Sequence, residues 1–292
     1  MTRPTRRRAL AVLAGASAFP AFAASPTRWS GVVLGAEASI ELAAPREVAE
    51  AALAEALTEV EAVEAAFSLY RDDSLLTRLN RRSRLRAPPL WHALHDAVDA
   101  LHAATGGLFD PTVQPAWTAM ARGEPPPDTP RWATVRRDGA AVRLAPAQAL
   151  TFNGIAQGFA TDRAVAVLRR HGLRDAFVEI GEQAAMGSAR RLGLHDPAAG
   201  IVGTLTLRDG AMATSSPAAT PLGATGHVLR PDAPASPPLW SSATVEADSA
   251  TEADALSTAA IHADRDMLRR IRDRPGVRRV VVVDHAGDVR TV

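Results

Sequence analysis

The residue pattern predicts an α+β fold, a layered α/β sandwich with mainly antiparallel sheets, on three observations. Helical and strand-like segments cluster along the 292 residues instead of alternating, which disfavours a doubly wound parallel sheet. Alanine- and leucine-rich stretches of helical periodicity fill the first third. From Thr134 the pattern turns to short apolar runs punctuated by tight turns, Asp209-Gly210 and "VVVVDHAGDV" among them, the mark of antiparallel pairing.

The elements follow in order. Ala36, Ala38, Ile40 and Leu42 alternate within Trp29 to Leu42 and predict a first strand. Pro45 opens a long helix through about Ala66, which "FSLY" ends. Ser74 is placed to cap a short helix, "LLTRLN". A further helix from about Leu90 to Ala104 stops at Gly106-Gly107, and "RGEPPPDTP" is a loop. "LTFN", Leu150 to Asn153, opens as a strand and runs through Gly154 into a helix ending at Gly172. In that helix Ala160, Ala164, Val167 and Leu168 form the buried face, and Gly154 and Gly158 lie at the exposed amino end. Strands are expected at Phe177 to Ile180 and Arg191 to His195, with a hairpin at Asp209-Gly210. Pro231 to Pro238 is a loop; then come a strand (Ser242 to Ala247), a helix (about Thr251 to His262), a second helix ending near Pro275 and a closing hairpin.

Composition excludes several chemistries. The chain has no cysteine, and all 33 basic residues are arginine, so thiol nucleophiles, thiolate metal sites, Schiff bases and P-loop lysines are ruled out. Residues 1–23 read as an export signal: arginines, an apolar run from Ala9, then Ala21-Phe22-Ala23 as a small-residue cleavage site. "TRRRAL" gives it a twin-arginine character, and an ordinary arginine-rich secretory signal is the alternative. That assigns residues 24–292 to one exported, periplasmic domain. Loss of four arginines and no acid takes the formal charge from +1 to −3, which gives no electrostatic reason to expect nucleic acid. No second apolar run is long enough to span a bilayer.

Four constellations could carry chemistry, each with a bland alternative. In "FNGIAQGFATDRA" the small residues where a helix begins expose backbone amides that suit a phosphate, or simply permit a tightly packed turn. In "SATEADALSTAA" Ser249 and Glu252 make a capping box, and Asp254 and Thr258 share a helix face one turn apart. Their oxygens suit magnesium or calcium rather than zinc, although aspartate early in a helix also favours the dipole. His227, between Gly226 and an apolar pair, is an acid–base candidate or an exposed loop histidine. His92, His95, Asp96, Asp99 and His102 recur at helical steps, but Leu94, Ala97, Val98 and Leu101 supply the core stripe, which places the histidines in solvent.

The order of these segments resembles the FAD:protein FMN transferase (ApbE) family. "VEAAFSLYRDDSLLTRLN", "TGGLFDPTVQPAW", "FNGIAQGFATDRA", "MATSS", "GHVLRP" and "SATVEADSATEADALSTA" carry the resemblance, which runs from about Val33 to Ala260. It implies an exported, magnesium-dependent enzyme that splits FAD, attaches FMN to a threonine hydroxyl of an acceptor protein and releases AMP. The implied acceptor is a flavin-bearing subunit of a membrane electron-transfer complex. Leu34 matches a methionine beside the flavin and Tyr70 an FAD-contacting tyrosine, while Leu108, Phe109 and Asp110 match the segment that holds the adenosine. Gln157 and Leu229 fall at FAD-lining positions. Gly154 would offer its carbonyl to magnesium, with Asp254, Thr258 and Ser257 completing the coordination. His227 matches the histidine that assists transfer.

Departures from the family pattern are also visible. Thr151 stands where many members carry aspartate, Arg230 replaces the aspartate of a His-Ile-Ile-Asp-Pro segment, Leu34 and Ala36 depart from Met-Gly-Thr, and Gln157 replaces a common lysine. Two further readings share the site: a metal-dependent FAD pyrophosphatase, with water in place of the acceptor hydroxyl, and an inactive FAD-binding maturation or carrier protein.

Overall fold

The computed structural model describes residues 26–292 apart from Ala224; the export-signal reading of residues 1–23 lies outside the described residues. The chain begins with a hairpin, β1 (Thr27–Val33) and β2 (Ala36–Leu42), where the sequence reading has one strand. The break falls at Leu34-Gly35, both at positive φ, +51° and +77°, which folds the chain back on itself. Helices α1 (Arg46–Phe67), α2 (Leu75–Arg82), α3 (Pro89–Ala104) and α4 (Gln114–Met120) follow. Three short strands form a side sheet: β3 (Arg84–Arg86), β4 (Arg136–Asp138) and β5 (Ala141–Arg143). Next come α5 (Ala156–Arg170), β6 (Ala176–Ile180), β7 (Glu182–Met186), β8 (Arg190–Asp196), β9 (Gly200–Leu207) and β10 (Gly210–Ser215). The chain closes with β11 (Ser242–Ala247), α6 (Ala250–Ala260), α7 (Arg265–Arg272), β12 (Val277–Val283) and β13 (Val289–Thr291).

Eight strands make one sheet in the order β1-β2-β6-β7-β10-β11-β12-β13, and its pairings among the described residues are antiparallel. The two-residue period of the strands assigns their side chains to two cores. Ala38, Ile40, Val178, Ile180, Ala213, Val245, Val280 and Val282 face the helices and join the main core. Phe177, Ala185, Met212 and Val281 face the other way, under the separate β8–β9 ribbon. Asp209-Gly210 is therefore a turn but not a hairpin: β9 pairs with β8, and β10 pairs with β7 and β11. Asp209 holds φ +46° there and its carboxylate accepts the Gly187 amide, so the turn moves the chain from one sheet to the other.

Helix α1 presents Ala49, Ala52, Ala56, Val60, Val63, Ala66 and Phe67 on its buried side, mostly small residues that allow close approach to α5. Leu150 to Asn153 is not a strand. Asn80 replaces strand pairing, donating to the Leu150 carbonyl at 2.9 Å and accepting its amide at 2.8 Å. Phe152 packs edge-on against Phe67 and Trp91, with centroids 5.4 and 5.5 Å away, so the segment is pinned between α1 and α3 just before α5 begins. The α3 histidines are not all solvated: His95 is buried, its ring 4.7 Å from that of Trp132, and His102 bonds the Phe109 carbonyl at 3.0 Å. Among the described residues no group of three histidine or carboxylate side chains is placed to hold a metal ion.

Candidate active site

One cavity of about 1210 Å³ opens between the polar face of the large sheet and the loops around α4, α5 and α6. It exceeds the roughly 300–1,000 Å³ of a pocket for a drug-sized ligand. Segments far apart in sequence meet in it. Tyr70, Leu108, Phe109, Asp110, Thr151, Gly154, Gln157, His227, Leu229, Asp254 and Thr258 all contribute to its wall. Leu34 instead lines a small adjoining recess, with Tyr70 and Gln157. Ser257 lies behind the wall, 1% exposed, donating to the Asp254 carbonyl and meeting Ser215 Oγ at 2.9 Å.

The proposed oxygen ligands converge. A methyl group added at Gly154 would stand 2.7 Å from Thr258 Oγ1, too close for a real Cβ, so the glycine backbone and the threonine hydroxyl face each other directly. Asp254, one turn before Thr258 on α6, accepts the Gly158 amide of α5 on Oδ2 at 3.0 Å. Ser215 Oγ, at the end of β10, lies 3.3 Å from Thr258 Oγ1. One carboxylate, hydroxyls and a main-chain carbonyl are the hard, sparse set from which magnesium is held when phosphate oxygens supply the remaining ligands. The donor set therefore fits magnesium.

Gly158 departs from its expected place. It is buried, not at an exposed helix end, and an added Cβ would fall 2.2 Å from the Ala250 carbonyl oxygen. Its role is close approach between helices.

The remaining side chains are held by their own bonds. Asp110 is buried and caps a 3-10 turn: Oδ1 accepts the Thr112 amide and hydroxyl at 2.8 and 2.6 Å, and Oδ2 accepts the Trp132 amide at 3.3 Å. Thr151 Oγ1 accepts the Asn153 amide at 3.2 Å, and its own amide bonds Pro111, so it shapes the turn before α5. His227 donates from Nδ1 to the Pro217 carbonyl at 3.0 Å, which leaves Nε2 as the basic nitrogen of the neutral ring. Its loop is tied down by His262, whose Nε2–H donates to the Val228 carbonyl at 3.0 Å. Burial holds the His262 pKa below the ordinary histidine value, so that residue is neutral. Arg230 lies outside the cavity wall and pairs with Asp232 at 2.7 Å, so this departure puts no charge in the pocket.

Reading the sequence missed part of the site. Glu179 and Gln183 lie on neighbouring strands in register with Ser39, and Glu182, His195 and Ser215 complete the wall nearby. The signal for Glu179 and Gln183 was strand alternation, which turns them away from the helix-facing core, but only pairing shows that a cavity lies on that side.

With this geometry in view, the comparisons decide the family. The ApbE family model matches residues 34–281. The chain belongs to the ApbE family. The fold is shared with solved ApbE structures: the flavinyl transferase ApbE of Pseudomonas stutzeri, apo form, matches at TM-score 0.77 and 24% identity over 92% of this chain and 94% of that one. The ApbE protein of Thermotoga maritima matches at 0.79 and 23% over 91% and 96%, and the flavin transferase ApbE of Vibrio cholerae at 0.76 and 20% over 92% and 96%. No curated protein matches in sequence. The eight-stranded antiparallel sheet with helices on one face is thus the ApbE fold: the residue pattern predicts its α+β class and the family resemblance implies the rest.

Proposed function

We propose that this protein transfers the FMN half of FAD to a threonine hydroxyl of an acceptor protein, releasing AMP, with magnesium as cofactor. Family membership and the flavinyl and flavin transferases among its structural relatives support the transfer. One observation carries the metal requirement. Among the residues that line the cavity are five carboxylates, Glu37, Asp110, Glu179, Glu182 and Asp254, and no arginine. Such a wall repels a diphosphate, which supports a cation that accompanies it.

Gly154, Asp254 and Thr258 would hold magnesium, and the ion supplies positive charge to phosphate oxygens whose negative charge grows as the bond to AMP breaks. The chain's own residues do the rest. The turn at Gly154 presents backbone at the start of α5, where the helix dipole favours an anion. Leu108, Phe109 and Leu229 give apolar surface for ring systems. The acceptor hydroxyl attacks the FMN-side phosphorus, the bond to the AMP phosphate breaks, and His227 Nε2 takes the hydroxyl proton.

The reading also takes in the exported, periplasmic location and an acceptor that is a flavin-bearing subunit of a membrane electron-transfer complex. Among the described residues no helix is long and apolar enough to cross a membrane. The test mixes purified protein, FAD, magnesium and a threonine-bearing acceptor subunit, then looks for flavin fluorescence on the denatured acceptor. Free FMN in its place favours the pyrophosphatase reading, and intact bound FAD favours the carrier reading.

A further inference from the structure

We infer that Asp162 is a positioning residue that sets the register of α6, which carries Asp254 and Thr258, against α5 and the Gly154 turn that precedes it. Two contacts one helical turn apart on α5 join it to α6, and the turn just before α5 adds a third. At the first, the Asp162 carboxylate of α5 accepts the Ala250 amide at 2.8 Å on Oδ1, and on Oδ2 the Thr251 amide at 2.9 Å, the Thr251 hydroxyl at 2.6 Å and the Ser249 hydroxyl at 2.7 Å. Four residues back along α5, Gly158 lies under the Ala250 carbonyl and gives its amide to Asp254 at 3.0 Å. Four residues back again, Gly154 faces Thr258. Asp162 and Gly158, one turn apart on α5, meet the start of α6 and Asp254 one turn on, as in an antiparallel pair, and the turn that precedes α5 extends the match to Gly154 and Thr258.

The bonds at Asp162 exceed what helix capping requires. Ser249 already caps α6, accepting the Glu252 amide at 3.3 Å. The expected return bond of a capping box is not made: the Glu252 carboxylate pairs instead with Arg274 at 3.0 Å. The first two amides of α6 are bound by a side chain of the neighbouring helix, and that helix begins at the phosphate-facing turn. Bonds therefore run both ways between the helices, from α6 donors to Asp162 and from an α5 donor to Asp254. A slip of one residue in α6 would shift Thr258 by about 1.5 Å along the axis and turn it by about 100° away from Gly154. Asp162 opposes that slip without lining the cavity itself.

This inference rests on the proposed magnesium site, so the test reads the cation and the helices separately. Magnesium is titrated into protein and FAD by calorimetry, and amide exchange over residues 250–260 is followed without magnesium or FAD. Asp162→Asn keeps one acceptor oxygen and should raise the magnesium midpoint at least tenfold and speed exchange at the start of α6. Asp162→Ala should do both more strongly. Leu268→Ala on α7, a buried change outside α5 and α6, serves as a control matched for lost thermal stability and should leave the midpoint within twofold. A midpoint unchanged in Asp162→Asn, or moved equally by Leu268→Ala, overturns the inference. If the wild type binds FAD with no dependence on magnesium, the cation-site reading fails. Exchange in Asp162→Asn then decides the clamp alone, and unchanged exchange rejects it.

Discussion

Gly158→Ala sets two physical effects against each other. Alanine is the better helix former by about 1 kcal/mol, so on helix propensity alone the variant of α5 should be more stable than the parent. The structure argues the reverse. The new Cβ would stand 2.2 Å from the Ala250 carbonyl oxygen, 2.6 Å from its carbon and 2.8 Å from Asp254 Cβ, and the first two are backbone that no rotamer change relieves. The helices must part by about an ångström, and overpacking of this kind costs roughly 1–3 kcal/mol. Parting also stretches the Gly158 to Asp254 bond, a hydrogen bond to a charged group worth about 1.5–3 kcal/mol. With the propensity gain subtracted, the net loss is about 1.5–5 kcal/mol, which for a chain of this size lowers Tm by roughly 3–20 °C. A thermal melt without ligand measures it. A Tm equal to or above that of the wild type would refute the close approach of α5 and α6, and with it the Gly158 to Asp254 bond.

Four further outcomes follow from the same geometry. Asp254→Ala should abolish magnesium-dependent turnover in the transfer assay while the fold persists, losing about 1–3 kcal/mol because the buried Gly158 amide is left without its partner; full activity rejects the ligand assignment. Thr258→Val, nearly isosteric, should leave the urea midpoint almost unchanged and weaken magnesium-supported FAD binding, and equal binding by both proteins counts against the hydroxyl as a ligand. Arg230→Ala should change FAD affinity less than twofold, since Arg230 faces Asp232 at the surface and an exposed pair contributes only about 0–1 kcal/mol; a large loss would place Arg230 in the pocket. For pH, burial depresses the folded-state pKa of His262 below its unfolded value of 6.5, so between the two values the unfolded chain binds more protons. Its contribution is complete above pH 6.5 and is lost as pH falls toward the folded value. Urea midpoints measured from pH 8 to 5 should therefore fall more steeply for the wild type than for His262→Gln, and parallel curves would contradict the neutral buried assignment.

What the sequence made legible and what it concealed divide along a physical line. Caps and turns are local, so Ser74 capping α2, the Pro45 start of α1 and the limits of β11 could be read directly. The Leu34-Gly35 reversal was missed because the apolar alternation of β2 continues across it, and nothing in alternation records positive φ. Leu150 to Asn153 has strand composition, yet its backbone partner is the Asn80 side chain seventy residues earlier, a contact that composition cannot encode. Asp209-Gly210 has the residues of a hairpin turn, but the partners of β9 and β10 are chosen by which face each strand buries, and they lie in different sheets.

The site follows the same division. Asp254 and Thr258 share a helix face by spacing alone, and Gly154 stands out because small residues at a helix start are costly unless something approaches them. That the thing approaching is α6 itself, beside a cavity, depends on antiparallel register across about a hundred residues of chain. Gly158 joins the two levels. The small-residue turn was open to two readings, a phosphate cradle or close packing, and close packing holds at both glycines: Gly158 lies against Ala250 and Gly154 against Thr258, with Gly154 also on the cavity wall where the proposed cradle would be. The packing reading and the proposed cradle therefore depend on the same approach of α6, and a change that opens it at Gly158 should also disturb Gly154.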